Sequence, residues 1–328
     1  MTDPPMEAGA TVSNDLFDKY VLPKVALAVI LAASLVGTWV TGRLGSSGTV
    51  AVMLVKWSYF VALGVLTGGL VWKHLFVRPR DLGTDASEYC AEMYSRFDNV
   101  ATGTVVVLVL SGPVVLAEYV SSLGISPLVA SLGVVFATWV GTTTVTTGRS
   151  APVDEQFRSF GGLLTMSLAL TVVVVTALAE VSLRGFDPMA AVVRILHLLA
   201  FAAWIGGAVW NIFVAVPTGQ RRPTTAVVRA AGEQLERFRW AVRFIIPTLF
   251  LTGLYQAVDA LGVSAGNYLG SLVGIAVLAK VGFIGLLFVI FKTCPMWRAC
   301  SPIDGVCELE DLGGDRPSST PAEAEADD

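Results

Sequence analysis

Imidazole, thioether and thiol are the side chains of this sequence best suited to a soft ion such as Cu(I), and they gather at two places. His197, one of only two histidines, lies about two turns inside a long apolar run. Met189 precedes that run, and Met53 opens an earlier, similar one. Cu(I) accepts two or three such ligands, so His197, Met189 and Met53 form a candidate site at the outer face of a membrane. The competing reading is an interhelical hydrogen bond from His197, with the methionines merely packing. The second group is Cys294, Met296, Cys300 and Cys307, within TCPMWRACSPIDGVC. Three thiolates and a thioether suit Cu(I) or, with a further ligand, Zn(II). Their spacing is not that of a CxxC element, so lipid modification or plain free thiols compete with the metal reading. These cysteines and Cys90 all fall on the side expected to be cytoplasmic and reducing, which argues against structural disulfides.

Lys280 is the costliest residue in the chain. It falls near the middle of the last apolar run, about 16 Å from the end of that run. Inserting a lysine there costs ~2.5–3.5 kcal/mol, so it must face the bundle or water, and snorkelling covers only part of the distance. Glu118, Glu180 and Asp259 all fall near the opposite ends of their helices. The expected partner is therefore a tyrosine, a carbonyl or a bound anion. Glu118 and Asp259 occupy corresponding helix ends, where they could attract cations or simply mark where a helix meets water; the second reading is favoured. A bis-histidine haem needs two imidazoles at one depth, and His74 falls at the other end of its run from His197. The sequence shows no pair of membrane carboxylates, no nucleophile with a base, no HExxH and no phosphate loop, so no enzyme is expected.

These residues need a membrane to position them. The chain of 328 residues is 54% hydrophobic and 15% charged, too little charge to cover a soluble surface. A net charge of -4 gives no reason to expect a nucleic-acid partner. Runs of about 20 apolar residues, enough to cross a bilayer, fall near 23–42, 50–72, 102–122, 127–146, 160–181, 190–214, 241–262 and 267–291. The predicted class is an all-α integral membrane protein with about eight transmembrane helices, surrounded by membrane lipid. Met1 to Lys19 is polar and acidic, so the first run is expected to be a retained helix and not a cleaved leader. Basic residues concentrate on the side of the N-terminus, from Lys19 and Lys24 through Lys73, Arg96, Arg158, Arg221 and Arg237 to Lys292. Both termini are therefore expected in the cytoplasm, with the protein in the plasma membrane. Segments 78–100 and 216–240 are expected to form short surface helices, and Glu308 to Asp328 to be disordered.

The chain also repeats itself. Val55 to Pro79 superposes without a gap on Val193 to Pro217, pairing Gly68-Gly69 with Gly206-Gly207, Val71-Trp72 with Val209-Trp210, and Pro79 with Pro217. Tyr59 then aligns with His197. After a three-residue insertion, Arg96-Phe97 matches Arg237-Phe238, Gly112 matches Gly253, and Trp139 matches Lys280. Two parallel four-helix repeats follow, related by an axis along the membrane normal: a tail at 1–22, a first repeat at 23–150, a second at 151–293, and a Cys-containing acidic tail at 294–328. Trp72 and Trp210 are expected to pack into the notches left by glycines on a neighbouring helix.

The second half carries His197-Leu-Leu-Ala-x-Ala-x-Trp204-x-Gly206-Gly207, then Gly253, then Gly274-x-x-Val277-x-x-Lys280. This resembles the copper-resistance D (CopD) membrane family over roughly residues 190–292. The tyrosine of the family's last motif is replaced by Val273, with Tyr268 slightly upstream. The resemblance implies copper ion transport or homeostasis across the membrane, with a cytoplasmic or external copper carrier as partner, and roles for Lys280, Trp204, Gly206 and Gly207. The reading from a different class is a non-transporting anchor or scaffold for a redox partner.

Overall fold

The computed structural model describes residues 21–44, 49–77, 84–147, 152–221 and 224–293. Every regular element among them is helical. Eight helices are long and apolar enough to span a membrane. They are α1 (Val21–Leu44), α2 (Val50–Val71), α3 (Thr84–Leu123), α4 (Pro127–Thr146), α6 (Phe160–Ser182), α7 (Pro188–Val209), α9 (Thr225–Leu261) and α11 (Leu272–Thr293). Short helices α5 (Val153–Gln156), α8 (Val216–Arg221) and α10 (Ala265–Leu269) lie in the connections. The local chemistry of the starts is visible. Side chains of Thr49, Ser126, Ser159, Asp187 and Thr224 accept from backbone N–H groups of the first turn, and Pro127 and Pro188 occupy that turn where no donor is lost. The spans carry almost no apolar stripe because lipid and protein interior are both apolar.

The polar segments do not form separate surface helices before the third and seventh spans. Thr84–Leu123 runs unbroken for 40 residues and Thr225–Leu261 for 37, about 60 and 55 Å at 1.5 Å per residue. Each polar stretch is the first half of the spanning helix itself. The reason is a continuous buried face. Tyr89, Cys90, Met93, Tyr94 and Phe97 lie inside on α3, and Val227, Val228, Ala231, Leu235 and Phe238 inside on α9. The tail cysteines Cys294, Cys300 and Cys307, with Met296 and the acidic tail, lie outside the described residues.

Both Gly-Gly-x-Val-Trp helices end alike. At Trp72 and at Trp210 the α-helix widens into a π turn, Trp72–Phe76 and Trp210–Ala215. The closing carbonyls are taken by the long helices: Tyr89 Oη donates to the Ala215 carbonyl at 3.1 Å, and Arg237 donates to the Phe76 carbonyl. Helices α2 and α7 cross at Gly68 and Gly206, where a Cβ on either would enter the other's backbone. Trp72 lies in the notch of Gly207 and against Phe238, ring centroids 5.6 Å apart. The notch of Gly69 holds Phe97, which stacks on Trp210 at 5.3 Å. The glycine–tryptophan packing expected from the sequence therefore occurs directly for Trp72 and through Phe97 for Trp210.

Around this central pair, α3 packs on α2 and α9 packs on α7. The outer pairs cross the midpoint of the sequence: α4 packs on α6, and α1 on α11.

Candidate functional site

A charged cluster lies at the end of the bundle opposite the described starts of α1, α3 and α9, among apolar residues of four spans. Its centre is Glu180 on α6, 1% exposed. One carboxylate oxygen accepts from Lys56 Nζ of α2 at 2.8 Å and from Tyr119 Oη of α3 at 2.7 Å. The other accepts from Arg194 of α7 at 3.1 Å. Lys56 also donates to Glu118 of α3 at 3.1 Å, and Arg194 donates to Gln256 of α9 at 3.2 Å. Two cations thus meet two carboxylates, and Tyr119 and Gln256 add hydrogen bonds, while Glu118 Oε2 and Arg194 Nε stay without a partner; pairing of this kind is what keeps charge in a low dielectric. Lys56 and Arg194 occupy aligned positions of the repeated helix, so one carboxylate is gripped by the same position of both copies. The sequence shows no pair of membrane carboxylates, whereas the fold brings Glu118 and Glu180 onto one ammonium. Glu118 is consequently more than a marker of the water boundary; Asp259, exposed on α9, fits that description.

Arg194 joins this cluster to a cavity of about 410 Å³ between α1, α7, α9 and α11. The walls are largely apolar: Ile30, Phe60, Leu198, Phe201, Trp204 and Ile246 among others. Into it face His197, Lys280, Arg184 and Arg194, and no carboxylate lines it among the described residues. His197 rests beside Gly253, its ring in ordinary contact distance of where a Cβ would stand. Its Nδ1 lies 2.8 Å from Thr252 Oγ1, and that hydroxyl gives its own proton to the Thr248 carbonyl. With the Thr252 proton on that carbonyl, a neutral His197 donates from Nδ1–H to Oγ1 and keeps its lone pair on Nε2. Lys280 Nζ lies against α1 at Gly37, with no ion pair among the described residues. Lys280 and Arg194 are the charges within electrostatic reach of His197.

The remaining candidates are dispersed. Met189 is 56% exposed at the start of α7, about 12 Å along the helix from His197, and neither Met189 nor Met53 lines the cavity. Among the described residues no three His, Cys, Asp or Glu side chains are placed to hold a metal. Trp204 faces the cavity and stacks on Phe291 at 6.4 Å. Gly206 and Gly207 belong instead to the helix crossing and the Trp72 notch. His74 is buried in the π turn that follows α2, against Gly162, and does not line the cavity that holds His197.

The aligned positions of the first half show how the cavity arises. Tyr59, Phe136, Trp139 and Tyr119 stand where the second half has His197, Val277, Lys280 and Ala260. Trp139, Tyr59 and Tyr119 are almost fully buried, and Phe136 fills the notch of Gly112, the counterpart of Gly253. Three buried aromatic side chains and Phe136 thus stand at the aligned positions of the first half, whereas those of the second line the cavity.

Compared with protein-family models, curated proteins and solved structures, the chain matches none.

Proposed function

We propose that this chain is a CopD-like plasma-membrane protein serving copper transport or homeostasis, built as two parallel four-helix repeats with both termini in the cytoplasm. Its working site is the cavity of the second half. The observation that carries this reading is convergence. The residues on which the CopD resemblance rests come from three separate helices, and His197, Leu198 and Trp204 from α7, Gly253 from α9, and Val277 and Lys280 from α11 line one cavity. A motif kept only for helix packing has no reason to point its histidine and its lysine into the same space.

Within that space His197 offers Cu(I) a fixed Nε2 lone pair, held by Thr252 behind it. One imidazole does not complete a Cu(I) site, and Arg184, Arg194 and Lys280 oppose a bare cation. Cu(I) therefore reaches His197 carrying a ligand of its own. The alignment of Lys56 with Arg194, the shared π turns and the reciprocal Trp72–Phe238 and Phe97–Trp210 stacks support the repeat. His197→Ala is expected to lower cellular copper accumulation at unchanged membrane abundance of the protein. Unchanged accumulation overturns the copper reading.

A further inference from the structure

The cavity is open on its side, and its largely apolar walls carry His197, Lys280, Arg184 and Arg194. Helices α9 and α11 barely touch, whereas their aligned counterparts α3 and α4 pack directly. Phe250 and Leu254 of α9 and Leu278 and Val281 of α11 line the cavity and are also 42–51% exposed on the outer surface of the bundle. They frame a slot that faces the lipid. A slot edged by apolar side chains at membrane depth admits molecules from the bilayer and excludes bare ions.

The charge inside is one-sided. Lys56 and Arg194 are balanced by Glu118 and Glu180. Arg184 has Asp259 within electrostatic reach. Lys280 has no such partner among the described residues, and Arg194, only 8% exposed, lines the same cavity and keeps an Nε–H without an acceptor. An uncompensated cation in an apolar membrane site is costly, and an anionic group from the ligand removes that cost. His197, with Nε2 unprotonated, adds an acceptor and no further positive charge.

We propose that this chamber binds a single-chain amphiphile with an anionic head, which enters from the bilayer between α9 and α11. The head meets Lys280, with Arg194 in the same wall adding its positive charge, and the chain lies along Phe60, Leu198, Phe201 and Ile246. A volume of about 410 Å³ is within the ~300–1,000 Å³ of ligand pockets. This inference is independent of copper and holds for the metal-free protein.

The test uses the full chain in nanodiscs of zwitterionic lipid with a metal chelator present, and an undecanoic acid carrying a dansyl fluorophore as probe. The acid is expected to bind saturably, at least tenfold more tightly than its methyl ester. Lys280→Met should remove that preference while Lys280→Arg keeps it. Val277→Phe, which restores the residue of the first half, should abolish binding of acid and ester alike. The acid–ester comparison needs no variant, so a misfolded mutant leaves the test intact. Equal binding of acid and ester overturns the anionic head. Displacement of the probe by inorganic phosphate as effectively as by unlabelled undecanoic acid overturns the amphiphile. Absence of binding in a protein that dimerises through α9 and α11 assigns the slot to a second copy and overturns the proposal.

Discussion

Replacing Glu180 by glutamine removes the one carboxylate that both Lys56 and Arg194 touch. At 2.8 and 3.1 Å the gross attraction to each cation is ~5–6 kcal/mol at an effective dielectric of about 20. Much of this offsets the desolvation of three buried charges, so deleting one partner is expected to cost about 3–5 kcal/mol net. Glu118 provides the control. It touches Lys56 alone, is more open to solvent than Glu180, and its removal leaves Lys56 still paired with Glu180. Glu118→Gln should therefore cost about 1.5–3 kcal/mol, the range of one charged hydrogen bond. The loss in Glu180→Gln falls mainly on Arg194, which then has Gln256 as its remaining acceptor. Adding Arg194→Met to Glu180→Gln removes the stranded guanidinium and should recover part of the stability. Denaturant titration in micelles, followed by tryptophan fluorescence, measures all three variants. The reasoning fails if Glu118→Gln is as damaging as Glu180→Gln, or if the double variant is no better than Glu180→Gln alone.

Gly206→Val puts side-chain atoms into the backbone of Gly68 and should lower stability by at least the ~1–3 kcal/mol of an overpacked core, whereas Gly282→Ala, with open space around it, should leave the melting temperature unchanged; equal melting of the two would refute the crossing. Orientation is tested with single cysteines in a background lacking the native four. A cysteine replacing Phe186 should react with a membrane-impermeant maleimide in intact cells, and one replacing Thr225 should react only after permeabilisation; the opposite pattern would invert the topology.

The spans were legible because each apolar run is a local property, and the structure places helices over all eight. The long polar segments were misread as separate helices because a buried face on α3 or α9 declares itself only when its neighbours are in place. The site was half legible. His197, Lys280, Trp204 and Gly253 could be singled out from residue type and motif, and they converge. Lys56, Glu180 and Arg194 fall near helix ends, and nothing in a single helix shows that three others bring the opposite charge. One signal was available: Lys56 and Arg194 are aligned basic residues, each a turn inside an apolar helix and three residues before Tyr59 or His197. Thr252 and Gln256 carried no signal at all. Both polar side chains acquire a task only from their neighbours on α7.

The way the outer helices are exchanged bears on whether the protein can be divided. Helix α1 packs on α11 as well as on α2, and α6 packs on α4 as well as on α7. A chain cut between α4 and α6 would yield two fragments, each lacking one wall of its own bundle and carrying one belonging to the other. Neither fragment could then assemble by itself in the membrane. Both would have to be made together and interlock, with the wall of the chamber that α1 supplies coming from the fragment that does not carry His197.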